Sequence, residues 1–565
     1  MKEDPVTLQI ISSSLLYASE EMGLALRNSA YSPNIKERMD HSAAVFDSAG
    51  RLLAQAEHIP VHLGSLPWGL RNLVSHCERQ GIELAEGTMV AANNPYITGT
   101  HLNDVTVAAP VHHRGRLVAF VVNKAHHSDV GGLVPGSISM AARTLQEEGF
   151  VLEPALLWKD KEFVGRLVER FASASRTPAE RRGDLKAQAA ANVTGVRRVL
   201  ELISKYGVDA FDEAAIHSSR HSESLSRERM ARFEPGTYRA ADFLEGPEGE
   251  DLQLKARVSV GASGIDVDFA GTSKEVGYPL NAVFGVTLSG VYFVLRCLLG
   301  DDIPANQGAF AAVSVHAPEG TIVNPTYPSP VGGGNVETSQ RNADVIFRAL
   351  SSAAENRVPA AAGGSMNNVM IGGGRGRSAW AFYETIGVGL GGGWDMDGID
   401  GIQANMTNTM NTPIEDLERT IPVRMVRYEF RPDSAGAGRF RGGSGLVRAY
   451  QALTDDTTFT TLADRARHHP WGLEGGGPGA ETEVVLRRGG KETNIFPKST
   501  LTLGAGDIIE IRTAGGGGYG DAARRSGQEV RRDVANGFLT ELHAASQYSH
   551  RLASPRRASL TAGKR

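Results

Sequence analysis

The sequence has few of the features that mark several large classes of protein. Only two cysteines occur among its 565 residues, so nothing indicates a disulfide framework. Cys77 and Cys297 each lie inside an apolar helical pattern, and we expect both to be small buried hydrophobic residues. The N-terminus lacks the basic-then-apolar layout of a secretory signal, and the one extended apolar run, residues 282–299, contains Gly285 and Arg296. We therefore expect a cytoplasmic protein with no membrane partner.

A strong excess of charge is also missing. The formal net charge is −5 and the pI is near 6.4, which gives no electrostatic reason to expect a nucleic-acid partner. No Gly-x-x-x-x-Gly-Lys-Ser/Thr loop occurs, and no Gly-x-Gly-x-x-Gly stretch stands between a predicted strand and a helix. The sequence therefore predicts no nucleotide site within this chain.

The chain is long enough for roughly two to four domains. Helical and strand-like patterns alternate along it, and the 66 glycines are concentrated after residue 330, so we predict a mixed α/β (α+β) fold in several layers. The predicted parts are an α/β metal-site domain with a helical segment (1–235), a strand-rich domain with a buried helix (236–330), a glycine-rich β domain (331–521), and a basic C-terminal helix and tail (522–565).

Three polar clusters stand where predicted strands begin or end. They are Glu37-Arg-Met-Asp-His-Ser42, Gly99-Thr-His-Leu-Asn-Asp104 and Lys124-Ala-His-His-Ser-Asp-Val-Gly-Gly132. Imidazole and carboxylate together suit zinc or manganese, and three protein ligands leave a coordination position open for water. We interpret the clusters as one metal site. The alternative, in which each histidine or aspartate is a hydrogen-bonded loop residue, stays open at this point.

Strand geometry separates the possible roles within these clusters. Neighbouring residues on a strand point to opposite faces, so His126 and His127 are not expected to bind the same ion. If His126 faces the ion, His127 and Asp129 are candidates for proton transfer. Asp104 is expected to point away from His101 and to orient an imidazole instead of binding the ion. A fourth polar stretch, Gly334-Asn-Val-Glu-Thr-Ser-Gln340, is either a helix start capped by its hydroxyl groups or a substrate loop.

Motifs along most of the chain resemble the hydantoinase B family. They include Ser32–Asp40, Gln55–Ser65, Gly99–Asp104, Ala125–Gly132, Gly334–Gln340, Met406–Thr409 with Thr412–Glu415, Arg441–Gly445 and Gly515–Gly520. Together these motifs run from about Asp4 to Asp521 in the family's order. Members of this family act in ATP-dependent hydrolysis of hydantoins, 5-oxoproline and lactams, and related subunits act in ketone carboxylases.

The resemblance implies a function for the predicted metal site. Carried over by motif, the metal ligands are Asp40, His101 and His126, and the ion is a divalent metal, zinc before manganese or iron. The chain would be the B-type subunit of a cyclic amide hydrolase, supplying a metal-activated water. An actin-like A-type subunit would bind ATP and phosphorylate the amide oxygen, in a hetero-oligomer such as a heterotetramer.

Two departures from the family pattern bear on the substrate. Asn405 replaces a histidine expected before Met-Thr-Asn-Thr, and Gly391-Gly-Gly-Trp-Asp-Met-Asp397 differs from the simpler glycine-alanine form. Both stretches are predicted to line a substrate pocket. Two alternatives stay open: a subunit of an ATP-dependent acetone or aryl-ketone carboxylase, and a non-catalytic scaffold.

Overall fold

A computed structural model describes residues 4–56, 58–354 and 357–548. Helices and strands are mixed along the chain and form several sheets, so the predicted α/β class is confirmed. The boundaries of the four predicted parts stay predictions. Residues 549–565 of the predicted C-terminal tail lie outside the described residues.

A seven-stranded sheet organises the first part of the chain. Its strands, in the order β2-β1-β5-β4-β3-β6-β7, are β1 (His41–Asp47), β2 (Leu52–Ala56), β3 (Met89–Ala92), β4 (Asp104–His113), β5 (Arg116–His126), β6 (Ala155–Lys159) and β7 (Glu162–Phe163). The helices are α1 (Pro5–Ser29), α2 (Pro33–Lys36), α3 (His62–Gln80), α4 (Pro95–Thr98), α5 (Leu145–Glu148), α6 (Gly165–Ala174), α7 (Pro178–Tyr206) and α8 (Val208–Met230).

Both faces of this sheet are covered, which explains why β1 and β5 read as nearly continuous apolar runs. Successive side chains of a strand alternate between faces. Ala43 and Val45 belong to the core that includes α1 and α7, whereas Ala44 and Phe46 pack with α3 on the other face. Polar side chains at the strand ends are therefore held at a rigid edge.

The middle of the chain adds a second sheet and two buried helices. The strands, in the order β11-β10-β9-β8, are β8 (Gly236–Glu245), β9 (Asp251–Gly261), β10 (Gly264–Asp268) and β11 (Val313–His316). The helices are α9 (Phe284–Leu299) and α10 (Ser339–Leu350). A π-helical turn, Gly334–Thr338, leads directly into α10. None of the helices in the described residues combines the length and apolar character needed to cross a bilayer.

The C-terminal part contains two further sheets. One has the order β13-β12-β16-β19 and the other β14-β15-β20-β17-β18. Their strands are β12 (Asn368–Gly373), β13 (Trp380–Thr385), β14 (Val423–Phe430), β15 (Leu446–Ala452), β16 (Thr457–Leu462), β17 (Glu483–Arg488), β18 (Lys491–Ile495), β19 (Lys498–Leu503) and β20 (Ile508–Arg512). The helices are α11 (Ile414–Thr420), α12 (Gly527–Ala535) and α13 (Glu541–Gln547), so two short helices stand where one C-terminal helix was predicted.

Glycine lets backbone segments of this part lie directly against one another. A Cβ atom on Gly391 would overlap the carbonyl oxygen of Ala360, and one on Gly516 would overlap that of Leu390. Backbone contact on both sides therefore fixes the path of the loop that begins at residue 391.

Candidate metal centre

Two histidines and one aspartate meet at the edge of the seven-stranded sheet. His101 Nε2 lies 3.1 Å from His126 Nδ1, and Asp104 Oδ1 lies 3.2 Å from His101 Nε2 and 3.3 Å from His126 Nδ1. All three residues are at most 3% exposed. Two strands create this arrangement, because Asp104 begins β4 and is the register partner of His126, which ends β5.

The three atoms fit one divalent cation. Ligand atoms that share a cation at about 2.1 Å stand about 3.0–3.4 Å apart, which matches the edges of this triangle. Two imidazoles and a carboxylate are also the donor set that borderline divalent ions prefer. Among the described residues, this is the group of three or more potential ligands that lies close enough to hold a metal.

Protonation states at this site suit a cation as well. Burial opposes ionisation of Asp104, but the imidazoles of His101, His126 and His62 hold the pKa of its carboxyl group well below the usual value. Burial lowers the pKa of His126, so its imidazole is neutral at pH 7. An ionised carboxylate and a neutral imidazole offer lone pairs to a metal with no proton to displace.

Asp40 lies beside this triangle and does not complete it. Its Oδ2 atom is 3.9 Å from His126 Nδ1, and its main-chain oxygen accepts a hydrogen bond of 3.0 Å from the amide of His126. Asp40 is 7% exposed. The sequence motif predicts Asp40 as a ligand, whereas in the structure the carboxylate of Asp104 lies closer to the two imidazoles.

Asp104 occupies a position opposite to the expected one. The expectation treated residues 101–104 as extended, which would send His101 and Asp104 to different sides. Instead, the Asp104 amide donates to the carbonyl oxygen of His101 at 3.1 Å, so a tight turn precedes β4. The turn brings the two side chains together.

His127 and Asp129, the two candidates for proton transfer, lie away from the triangle. His127 Nε2 is 3.0 Å from Gln188 Oε1, and the His127 ring packs edge-on against Phe171. Asp129 accepts hydrogen bonds from the amides of Gly131, Gly136 and Arg176 and from the Arg176 side chain. Both residues contact α7 or the loop before it, on the other side of β5, as strand alternation predicts for His127.

His62 is a residue of the site that the sequence analysis did not single out. It begins α3, and its Nε2 atom is 3.4 Å from Asp104 Oδ2, while its Nδ1 atom is 2.9 Å from Ser42 Oγ. The hydroxyl can donate to Nδ1, which leaves Nε2–H to donate to the carboxylate. Its spacing of four residues from His58, between apolar neighbours, was the available signal.

Tyr383 and Asn368 connect the triangle to the π-helical turn through one ring stack and two hydrogen bonds. The Tyr383 ring stacks on the His126 ring with centroids 4.5 Å apart, and its hydroxyl donates to Asn368 Oδ1 at 2.7 Å. Asn368 Nδ2 in turn donates to Glu337 Oε1 at 3.0 Å. The turn is therefore coupled to the metal centre through Tyr383, and neither Thr338 nor Ser339 caps α10 with its side chain.

The chain belongs to the hydantoinase B/oxoprolinase family, whose model matches residues 4–522. It is 44% identical to an uncharacterized protein of Methanocaldococcus jannaschii, over 96% of each chain. It is 30% identical to the B-type subunit of a putative D-/L-hydantoinase from a Pseudomonas species, over 97% of this chain and 95% of the relative.

A longer relative and a solved structure complete the comparison. The chain is 35% identical to a 5-oxoprolinase of Dictyostelium discoideum over 92% of its own length, but it spans only 40% of that relative. The crystal structure of the ATP-dependent caprolactamase of Pseudomonas jessenii superposes with a TM-score of 0.90 at 29% identity, covering 98% of this chain and 97% of that one. At a general level, the family relationship supports ATP-dependent hydrolysis of cyclic amides.

Proposed function

We propose that this chain is the B-type component of an ATP-dependent hydrolase of cyclic amides, and that it holds a divalent cation at His101, Asp104 and His126 with Asp40 beside them. One observation carries the proposal: three ligand atoms on three buried side chains lie within 3.3 Å of one another at the end of two paired strands.

A cation bound at this place would lower the pKa of a water molecule to near neutrality and polarise a carbonyl group. The residues of the chain serve that chemistry by position and charge. Asp104 contributes a negative charge in a dry environment, His62 fixes the orientation of its carboxylate, and Tyr383 covers the face of His126. His127 and Asp129 then act as structural residues.

ATP chemistry is assigned to a second polypeptide. An amide is resonance-stabilised and loses its nitrogen poorly, so ring opening benefits from phosphorylation of the amide oxygen. This sequence has no nucleotide-binding motif, and the Dictyostelium relative carries about three fifths of its length outside the matched region. We assign the phosphorylation to an A-type ATPase subunit, in a hetero-oligomer such as a heterotetramer. The cytoplasmic location stays a prediction.

The test begins with elemental analysis of the purified chain. One equivalent of zinc, manganese or iron is expected per chain, and Asp104→Asn combined with His126→Ala should remove it while the far-UV circular dichroism spectrum is kept. Absence of metal from the wild-type protein would favour the scaffold alternative.

The reaction class needs a second experiment with the partner present. Co-purification with an ATPase subunit is followed by a screen of hydantoins, 5-oxoproline and lactams for substrate-dependent release of ADP. Release of ADP that requires bicarbonate and a ketone would contradict the hydrolase and support the carboxylase alternative.

A further inference from the structure

Two adjoining cavities lie beside α9, and the larger one is also lined by the glycine-rich loop. The larger has a volume of about 600 Å³ and is bounded by α9, α10, the loop that begins at residue 391 and the segment 403–408. The smaller, of about 410 Å³, contains His58 in its wall. They share Pro60, Phe293, Cys297 and Asn408, and we call the joint space the α9 groove. Cys297 is therefore an exposed groove residue and not the buried one that its apolar context predicted.

Two contacts connect the groove to the chain segment around Asp40. At one end, the His58 ring lies 5.0 Å from the ring of His41, the residue after Asp40. Along its wall, the segment that contains Asn405 and Asn408 continues to Met410, whose amide donates to the main-chain oxygen of Arg38 at 3.1 Å. A ligand in the groove is therefore next to the elements that carry Asp40.

Four aromatic side chains belong to the walls of the larger cavity. Trp394, Trp471, Phe293 and Phe347 all line it. Such rings favour flat apolar groups, and cavities of about 300–1,000 Å³ accommodate ligands much larger than a bare five-membered ring. The volume therefore exceeds what an unsubstituted cyclic amide needs.

Fixed polar groups occupy one side of the same cavity. The Asn405 side chain donates to Asp344 Oδ1 at 2.9 Å, and Arg341 and Arg465 hold the other oxygen of Asp344 at 2.6 and 2.7 Å. Asn405 also has a φ of +50°, a left-handed conformation that asparagine tolerates better than most residues. Nearby, Gln403 Oε1 is buried with no hydrogen-bond partner among the described residues, so a ligand N–H group would satisfy it.

We propose that the α9 groove binds the ring substituent of the substrate, so that this protein takes cyclic amides with a bulky aryl-type side chain in preference to 5-oxoproline. This inference rests on the proposed function and narrows its substrate class. Trp394 and Asn405, which both line the groove, are then specificity-determining residues.

The test measures ligand binding directly on the full-length, metal-loaded chain by calorimetry. The probes are 5-benzylhydantoin, unsubstituted hydantoin and 5-oxoproline. Trp394→Ala is the variant, since Trp394 is 52% exposed and its loss leaves no core cavity. Tyr17→Ala, which removes a 70% exposed ring from α1, is the matched control.

The wild-type chain should bind 5-benzylhydantoin most tightly, and Trp394→Ala should weaken that binding about tenfold, as loss of one aromatic contact predicts. The affinity of Trp394→Ala for unsubstituted hydantoin should stay within about twofold of the wild-type value. Tyr17→Ala should match the wild type for both ligands. Tighter binding of 5-oxoproline, an equal response of the two variants, or no binding of any ring would overturn the proposal. Metal analysis of the same samples separates this outcome from failure of the metal centre itself.

Discussion

Asp104 and His126 are direct register partners across β4 and β5, and their Oδ1 and Nδ1 atoms lie 3.3 Å apart. Because main-chain pairing fixes their separation, the carboxylate and the imidazole are held together before any ligand arrives. A site built on paired strands loses little entropy when a cation binds.

Substitution of the two aspartates should distinguish the ligand set of the geometry from that of the sequence motif. Asp104→Asn keeps shape and removes charge, and metal affinity should fall more than about a hundredfold, because outer-shell partners alone contribute about 10–100-fold. Asp40→Asn should have a smaller effect, since its oxygen is 3.9 Å from His126 Nδ1. The measurement is competitive titration with a chelator, and a larger loss for Asp40→Asn would restore the motif-based ligand set.

His62 is expected to act as a positioning residue for Asp104. His62→Leu removes the hydrogen bond to Asp104 Oδ2, so metal affinity should fall about 10–100-fold while the stoichiometry at saturation stays at one. His62→Gln offers an amide N–H group and should recover part of the loss. Chelator titration of both variants is the measurement. Equal metal affinities of His62→Leu and His62→Gln would show that His62 contributes to the site by packing alone.

Asp129 should prove to be a stability residue without effect on metal. Its buried carboxylate accepts four hydrogen bonds, two of them from Arg176, so Asp129→Ala should lower the free energy of unfolding by about 3–5 kcal/mol. Folded protein should still bind one equivalent of metal. Denaturant titration and elemental analysis are the measurements.

A control for Asp129 comes from an exposed ion pair. Asp212 contacts Arg116 at 3.1 Å, and both side chains are more than 40% exposed. Asp212→Ala should therefore change the free energy of unfolding by less than about 1 kcal/mol. Loss of metal from folded Asp129→Ala would reinstate a functional role for that residue.

His41 should make the metal-free protein sensitive to acid. Burial, with the nearby His58 and His62, lowers the pKa of His41 from 6.5 to about 3. A group with a lowered folded-state pKa stabilises the protein above its unfolded pKa, and this contribution is lost as pH falls from 6.5 towards 3. The loss amounts to at most about 5 kcal/mol. His41→Phe should flatten unfolding free energy against pH in that window, and parallel curves for both proteins would contradict the assignment.

Apolar periodicity predicted the strands beside the three polar clusters. β1, β4 and β5 form at these places, since burial on both faces of the sheet sets the apolar spacing. His126 and His127 diverge as alternation requires. Asp104 did not follow the expectation, because the four-residue turn His101–Asp104 leaves no trace in a pattern of apolar positions.

Contacts between residues far apart in the sequence could not be predicted from local patterns either. Tyr383 is separated from His126 by more than 250 residues, and nothing in its local sequence distinguishes a ring that stacks on an imidazole from one in an ordinary core. The motifs indicated that residues 391–397 and Asn405 concern the substrate. Only the structure shows that both stretches line the larger cavity of the α9 groove.

The backbone overlap at Gly391 and Gly516 limits how this wall can diversify. Neither position can accept a side chain without displacing the neighbouring backbone, so the loop cannot readily be rerouted by substitution there. Trp394 and Met396 are each about half exposed, so a substitution at either position does not have to move the backbone. Anyone redesigning the protein for other rings should change those projections and leave the glycines alone.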